Sequence, residues 1–365
     1  MKYFVFRNNT VEFFFDAKEC AFSGYDDISA VLSDAERYIW FYQPPYGVID
    51  GTAVELVKSF VHKFDLVFSR IPEGKEIIAF TLCDMGSTKI ETGDFAFDEA
   101  IAEFNSHIIT LAKENQNIKM VDFSEFASRY KKSDLIDWKY YFTSQLAFSA
   151  KLAADFKKWF AQKENELALK RKKCLVLDLD NTLWGGVLGE DGIEGIKIGG
   201  DYPGKAFLYF QRALAHLADS GVILAVCSKN NEEDVKECWA KNPFNILNEK
   251  YISACRINWS NKADNIREIV AELNIGLDSF VFVDDNPTER ELVKQSLPMV
   301  EVPDFPEQPY NLPVFVDSLI ERYFRVHSLT AEDRKKTVEY KANAERAAAQ
   351  TKFADMESFI RSLKI

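Results

Sequence analysis

The segment CLVLDLDNTLWGG, residues 174–186, constrains this chain more than any other, because a wholly apolar run stops on two aspartates, Asp178 and Asp180. An unbroken apolar run suits a strand buried on both faces, which calls for helices above and below and hence a parallel sheet. Its carboxylates then fall at the carboxyl end of the strand, where open α/β sheets bind ligands. The following segments keep the alternation. AFLYFQRALAHLADS has helical spacing, with Phe207, Phe210, Leu214 and Leu217 on one face, and GVILAVC is a strand ending at Ser228. NEEDVKECWA and ADNIREIVAEL read as helices, the first capped by Asn230 or Asn231 and carrying Glu232 and Glu233 in its first turn. SFVFVDD is a strand ending on Asp284 and Asp285, and VEVPD is a last short strand before a proline-rich exit.

The first 150 residues alternate in the same way. KYFVFR, RYIWFY, EIIAFTL and IKMVDF read as strands, and AVELVKSFVHKF and AFDEAIAEFNSHIITLAKEN as helices. The expected organisation is two three-layer α/β domains, over 1–150 and 173–312. A connecting helix covers 151–172 with a basic end at Lys170–Lys173, and a charged helical tail covers 313–365.

At 365 residues, 47% apolar and net charge −12, the chain can bury sizeable cores and has no general polyanion-binding surface, which argues against a nucleic-acid partner. No run is long and apolar enough to span a membrane, and MKYFVFRNNTVEFFF lacks the continuous apolar stretch of a signal peptide, so a cytoplasmic location is expected. The six cysteines are scattered without a CxxC pair, and neither a disulfide framework nor a zinc site is expected.

Asp178, Asp180, Ser228, Asp284 and Asp285 therefore meet at one rim, joined by Lys262 at the start of a helix. Carboxylates crowded together need a cation, and an oxygen-rich acidic pocket selects Mg²⁺, which also accepts a phosphate oxygen. Asp178 then acts as nucleophile through an aspartyl-phosphate, and Asp180, two residues on, protonates the leaving group and later activates water. Ser228 and Lys262 hold the remaining phosphate oxygens.

DLDNTLWGG resembles the DxDxT signature of the haloacid dehalogenase superfamily of phosphatases, and Ser228, Lys262 and Asp284–Asp285 match its later motifs in order. CLVLDLDNTLWGGVLGEDG, LAVCSKN, NWSNKADNI, FVFVDDNPTERELV and LTAEDR resemble, more narrowly, the FkbH-like proteins, in which an N-terminal region similar to SGNH hydrolases precedes this domain. The resemblance implies Mg²⁺ on Asp178, the carbonyl of Asp180 and one of Asp284 or Asp285. It also implies an alternative activity: taking a glyceryl group from 1,3-bisphosphoglycerate and loading it onto an acyl carrier protein through a thioester. That route needs a cysteine, for which Cys227 is the nearest candidate; otherwise Cys227 is a small buried residue.

Only 50 residues separate Asp178 from Ser228, and 34 separate Ser228 from Lys262, which leaves no room for an inserted cap. The second domain is thus a capless Rossmannoid core, with the glycine-rich WGGVLGEDG as a small hairpin flap. Either the open site admits a bulky substrate such as a carrier-protein arm, or the N-terminal domain or a second subunit supplies a lid. In the N-terminal domain FRNNTVEF stands where an SGNH serine is expected. Thr10 could substitute, but neither His62 nor His107 has the context to activate it, so this domain is expected to be catalytically silent. Trp40, Tyr42 and Tyr46 either line a groove or form a buried strand and its following turn. The expected function is a Mg²⁺-dependent phosphatase for a small organic phosphate, a monoester or an acyl phosphate, with glyceryl transfer and an inactive scaffold as alternatives and homo-oligomers possible.

Overall fold

A computed structural model describes residues 1–329, which divide into two compact units, Met1–Glu164 and Asn165 onward. The charged segment DRKKTVEYKANAERAAAQ, expected to be helical, and most of LTAEDR lie outside the described residues.

In the first unit β1 (Tyr3–Arg7), β2 (Cys20–Tyr25), β3 (Arg37–Phe41), β5 (Glu76–Phe80) and β7 (Ile118–Val121) form a parallel sheet in the order β2-β1-β3-β5-β7. Two-residue strands β4 (Gly47–Val48) and β6 (Ser87–Thr88) pair separately. Alternation along β3 sorts its side chains between two cores. Tyr38 and Trp40 face α1 (Gly51–Arg70) and α2 (Ala96–Glu114), whose inward stripes are Val54, Val57, Phe60, Phe64 and Phe97, Ala100, Phe104, Ile108. Phe41 faces the opposite side, where it packs with Phe14, Phe80 and Phe123 around Phe156 of α6 (Ala150–Leu167). Trp40 and Tyr42 are completely buried, their rings stacked 3.9 Å apart, so they belong to the core. Three short helices, α3 (Ser124–Ala127), α4 (Lys132–Leu135) and α5 (Trp138–Ser144), precede α6. The helix expected through 172 ends at Leu167: Leu169 adopts a left-handed φ of 54°, and Lys170–Lys173 lie beyond it.

The second unit has four parallel strands, β8 (Cys174–Leu177), β9 (Ile223–Ser228), β10 (Ile252–Ile257) and β11 (Phe280–Val283), in the order β10-β9-β8-β11. Leu175, Leu177, Val281 and Val283 face α8 (Gly204–Asp219), and Cys174, Val176, Phe280 and Phe282 face α10 (Lys262–Leu273). Each buried leucine or isoleucine on the inward stripe Ile266, Ile269, Leu273 contributes about 1.5–3 kcal/mol. Two helices, α7 (Leu188–Gly195) and α8, fill the stretch between Asp178 and Ser228. Only α9 (Glu232–Lys241) and β10 lie between Ser228 and Lys262, so the core carries no cap.

Three further expectations change. WGGVLGEDG is not a hairpin: Gly185 and Lys197 exchange two backbone hydrogen bonds of 3.0 and 2.7 Å, and the chain between them coils into α7. Asp191 accepts the Val187 N–H at 2.8 Å there, and Leu188 and Ile196 bury into the core, which favours a helical turn over paired strands. VEVPD contributes only a single bridge between Glu301 and Val281, since Pro303 has no N–H to extend a ladder. Finally, α12 (Leu312–Leu319), expected as the start of a charged tail, buries Leu312, Val316 and Leu319 in the core beside α8. No helix among the described residues is long and apolar enough to cross a membrane.

Candidate active site

Three strand ends and one helix start bring the site together. Strand β8 delivers Asp178, whose N–H donates to Val283 O at 3.0 Å, fixing it beside the end of β11. The chain then turns sharply. Asn181 sits at φ 53°, its side chain accepts the Gly186 N–H at 2.9 Å, and Gly186 lies at φ 96°, where a Cβ would come within 2.5 Å of Asp191 Oδ2. This turn holds Asp180 half-buried above the sheet and seats the buried Thr182, whose hydroxyl accepts the Asp285 N–H at 3.1 Å.

Ser228, 1% exposed, ends β9. Lys262 is the first residue of α10, with Asn261 as cap accepting the Ala263 N–H at 2.8 Å, and its ammonium is buried. At the end of β11, Asn286 caps α11 (Pro287–Ser296), and Arg290 Nη1 reaches back to the carbonyls of Asp284 and Asp285 at 2.8 and 2.7 Å.

The electrostatics centre on Lys262, whose Nζ lies 2.9 Å from Asp178 Oδ1 and also pairs with Asp284 Oδ2. Burial opposes its charge, but Asp178 and Asp284 outweigh that and raise its pKa above the usual lysine range. Burial raises the Asp178 carboxyl to about 7; Lys262 opposes that shift and Asp284 adds to it. Asp285 is also raised, first by burial and then by Asp284. One lysine is thus too little cation for three carboxylates in a dry pocket.

The donor set fits a divalent metal. Oxygens of Asp178, Asp284 and Asp285 lie within 4.8 Å of one another. Asp178 Oδ1 is buried and accepts no hydrogen bond of proper geometry, its 2.9 Å approach to Lys262 being an ion pair. Asp284 has both oxygens engaged, Oδ1 by the Asn286 N–H at 2.8 Å and Oδ2 by Lys262. A hard oxygen-only set of this kind suits Mg²⁺.

The remaining sequence candidates fall elsewhere. Cys227 is wholly buried against α10, its thiol donates to Lys262 O at 3.7 Å, and burial pushes it up to about 12. Thr10 Oγ1 pairs with Tyr25 Oη at 2.8 Å, while His107 pairs with Asp65 at 2.7 Å on the helical layer. Residues not expected at the site are Trp184, Asn230, Arg290 and the half-buried Glu289, which pairs with Lys229 at 2.6 Å. Asn230 had a readable signal, since two asparagines follow Ser228 and only one can cap α9. Asn231 takes that role, accepting the Glu233 N–H at 2.9 Å.

Comparison with known proteins points to the same part of the chain. Residues 173–313 match the family model of NLI interacting factor-like phosphatases. No curated protein matches the chain. Among solved structures, the N-terminal part of a Bacteroides fragilis protein, containing a phosphatase domain and complexed with Mg, is similar. It is 28% identical, with 90% of this chain and 95% of that one covered and a TM-score of 0.72. A Moraxella catarrhalis 3-deoxy-D-manno-octulosonate 8-phosphate phosphatase, in complex with magnesium ion, phosphate ion and KDO, is 18% identical. It covers 53% of this chain and 98% of its own at a TM-score of 0.25, too loose a superposition to argue from. The family match and the Bacteroides relative support phosphatase chemistry in the second unit.

Proposed function

We propose that the second unit is a Mg²⁺-dependent phosphatase for small phosphate monoesters or acyl phosphates, working through a phosphoaspartate on Asp178. The observation that carries this reading is the buried Asp178 Oδ1, ion-paired with Lys262 Nζ at 2.9 Å, with Asp284 and Asp285 closing an acidic cluster. The Bacteroides relative, complexed with Mg, favours Mg²⁺ as the ion. Asp178 and Asp285 would hold it directly, with the Asp180 carbonyl as the resemblance implies, because both Asp284 oxygens already accept a bond, Oδ2 from the Lys262 ammonium and Oδ1 from the Asn286 N–H. When bound, Mg²⁺ neutralises the carboxylates and polarises the phosphoryl group.

Asp178 attacks phosphorus, the P–O bond to the leaving group breaks, and the departing oxygen takes a proton from Asp180. Asp180, now a carboxylate, accepts a proton from the water that attacks the phosphoaspartate, which releases phosphate and restores both residues. Ser228 and Lys262 bind the phosphoryl oxygens. The FkbH-like alternative, glyceryl loading of a carrier protein, has no support from Cys227, a core thiol facing the Lys262 carbonyl. For the first unit we propose a non-catalytic role. Asn8 bonds both the N–H and the C=O of Gln43, at 3.0 and 2.7 Å, and so ties together the ends of β1 and β3, where the strand order reverses and a ligand crevice would otherwise open.

The test is phosphate release from a panel of monoesters and acyl phosphates, with and without Mg²⁺. Release is expected only with Mg²⁺ and should fall by at least roughly a thousandfold in Asp178→Asn. A folded Asp178→Asn protein that keeps its activity would rule Asp178 out as nucleophile.

A further inference from the structure

Asp180 accepts three hydrogen bonds, and their pattern is uneven. Oδ1 accepts two hydrogen bonds, from Trp184 Nε1 at 2.9 Å and from the Leu188 N–H at 3.0 Å. Oδ2 accepts one, from Asn230 Nδ2 at 2.9 Å. A carboxyl oxygen offers two lone-pair directions in its plane, so Oδ1 is full and Oδ2 has one left. Asn230 Nδ2 also lies 3.3 Å from Ser228 Oγ, so Oδ2 is the oxygen on the side of the phosphate-binding serine.

We infer that Trp184 and Asn230 are positioning residues that confine the catalytic proton of Asp180 to Oδ2 and aim that oxygen at the phosphoryl site. This rests on the reading of Asp180 as general acid and base. With Oδ1 closed by two fixed N–H donors, a proton on Asp180 has one place to sit, facing the leaving oxygen. After transfer the same lone pair takes the proton from attacking water. Trp184 suits this task because it is completely buried, so its indole N–H cannot swing away. Leu188 supplies the third donor from the first turn of α7, which gives the glycine-rich excursion a part in the chemistry.

Two measurements test the inference. In ¹H–¹⁵N spectra the Trp184 indole N–H, identified by its loss in Trp184→Phe, is expected to move upfield in Asp180→Ala; an unmoved signal overturns the hydrogen bond and the inference with it. In kinetics, kcat/KM is compared for propyl phosphate, whose leaving group needs a proton, and p-nitrophenyl phosphate, whose leaving group does not. Trp184→Phe and Asn230→Ala should each lower the ratio of the two values by roughly 10–100-fold, and should lower it no further in an Asp180→Asn background. Equal losses on both esters, or losses that persist without Asp180, would reduce both residues to structural supports. If Asp180→Asn itself leaves the ratio unchanged, the acid/base reading fails, whatever Trp184 and Asn230 do.

Discussion

Asp178 sits uncomfortably for a carboxylate. Burial holds its carboxyl at about 7, against 3.8 for a free aspartate. A folded-state value above the unfolded one stabilises the fold fully below the unfolded value, and this contribution is lost as pH rises through the folded one. In EDTA, wild type is therefore expected to lose melting temperature relative to Asp178→Asn between pH 3.8 and about 7, and Mg²⁺ should restore it at the upper end. Parallel melting profiles for the two proteins would show that Asp178 carries no such strain. At this scale the sequence was readable where a residue type has one plausible use. Asp178, Asp180, Ser228, Lys262, Asp284 and Asp285 lie at strand ends or a helix start, and the structure brings them into one cluster. Trp184 and Asn230 escaped because tryptophan in an apolar stretch reads as core, and asparagine before a helix reads as a cap. Both readings describe the neighbourhood and miss where one N–H points.

Elements place these residues, and α11 shows how. Arg290, one turn into that helix, returns to the carbonyls of Asp284 and Asp285 and clamps the turn that presents them. Arg290→Ala is expected to weaken Mg²⁺ binding about tenfold by isothermal calorimetry, as removal of supporting bonds around a metal site commonly does. Unaltered affinity would mean that the Asn286 cap and the Thr182 hydroxyl hold the turn without it. The long strands and helices were legible because their apolar residues recur with clear periods, as in β8, β9 and α10. Strands β2 and β10 were not, and both sit at a sheet edge. Both are only partly buried and mix polar with apolar residues, so CAFSGY and ISACRI carry no clean alternation. Helix α7 was misread as a hairpin because glycines announce a turn without saying which kind. The choice fell to Asp191 and to the burial of Leu188 and Ile196.

At the scale of the whole molecule, two parallel sheets of similar construction appear to the chemistry as opposites. In one, strand ends open onto acidic side chains; in the other, Asn8, Gln43 and Thr81 bond the strand ends to each other. Thr10→Val in the first unit should leave phosphate release within about twofold of wild type, the threonine hydroxyl being hydrogen-bonded to Tyr25. A large loss would make the first unit a participant.

The boundary of the second unit is also a matter of physics. The family match stops at residue 313, but the fold does not. Leu312, Val316 and Leu319 of α12 lie in the same core as Phe210 and Leu214, Phe324 joins them, and Tyr323 O accepts the Lys172 N–H at 2.8 Å. Any fragment meant to carry this chemistry by itself must therefore run through Phe324; cut where the resemblance ends, it would lose one wall of the room in which the catalyst is housed.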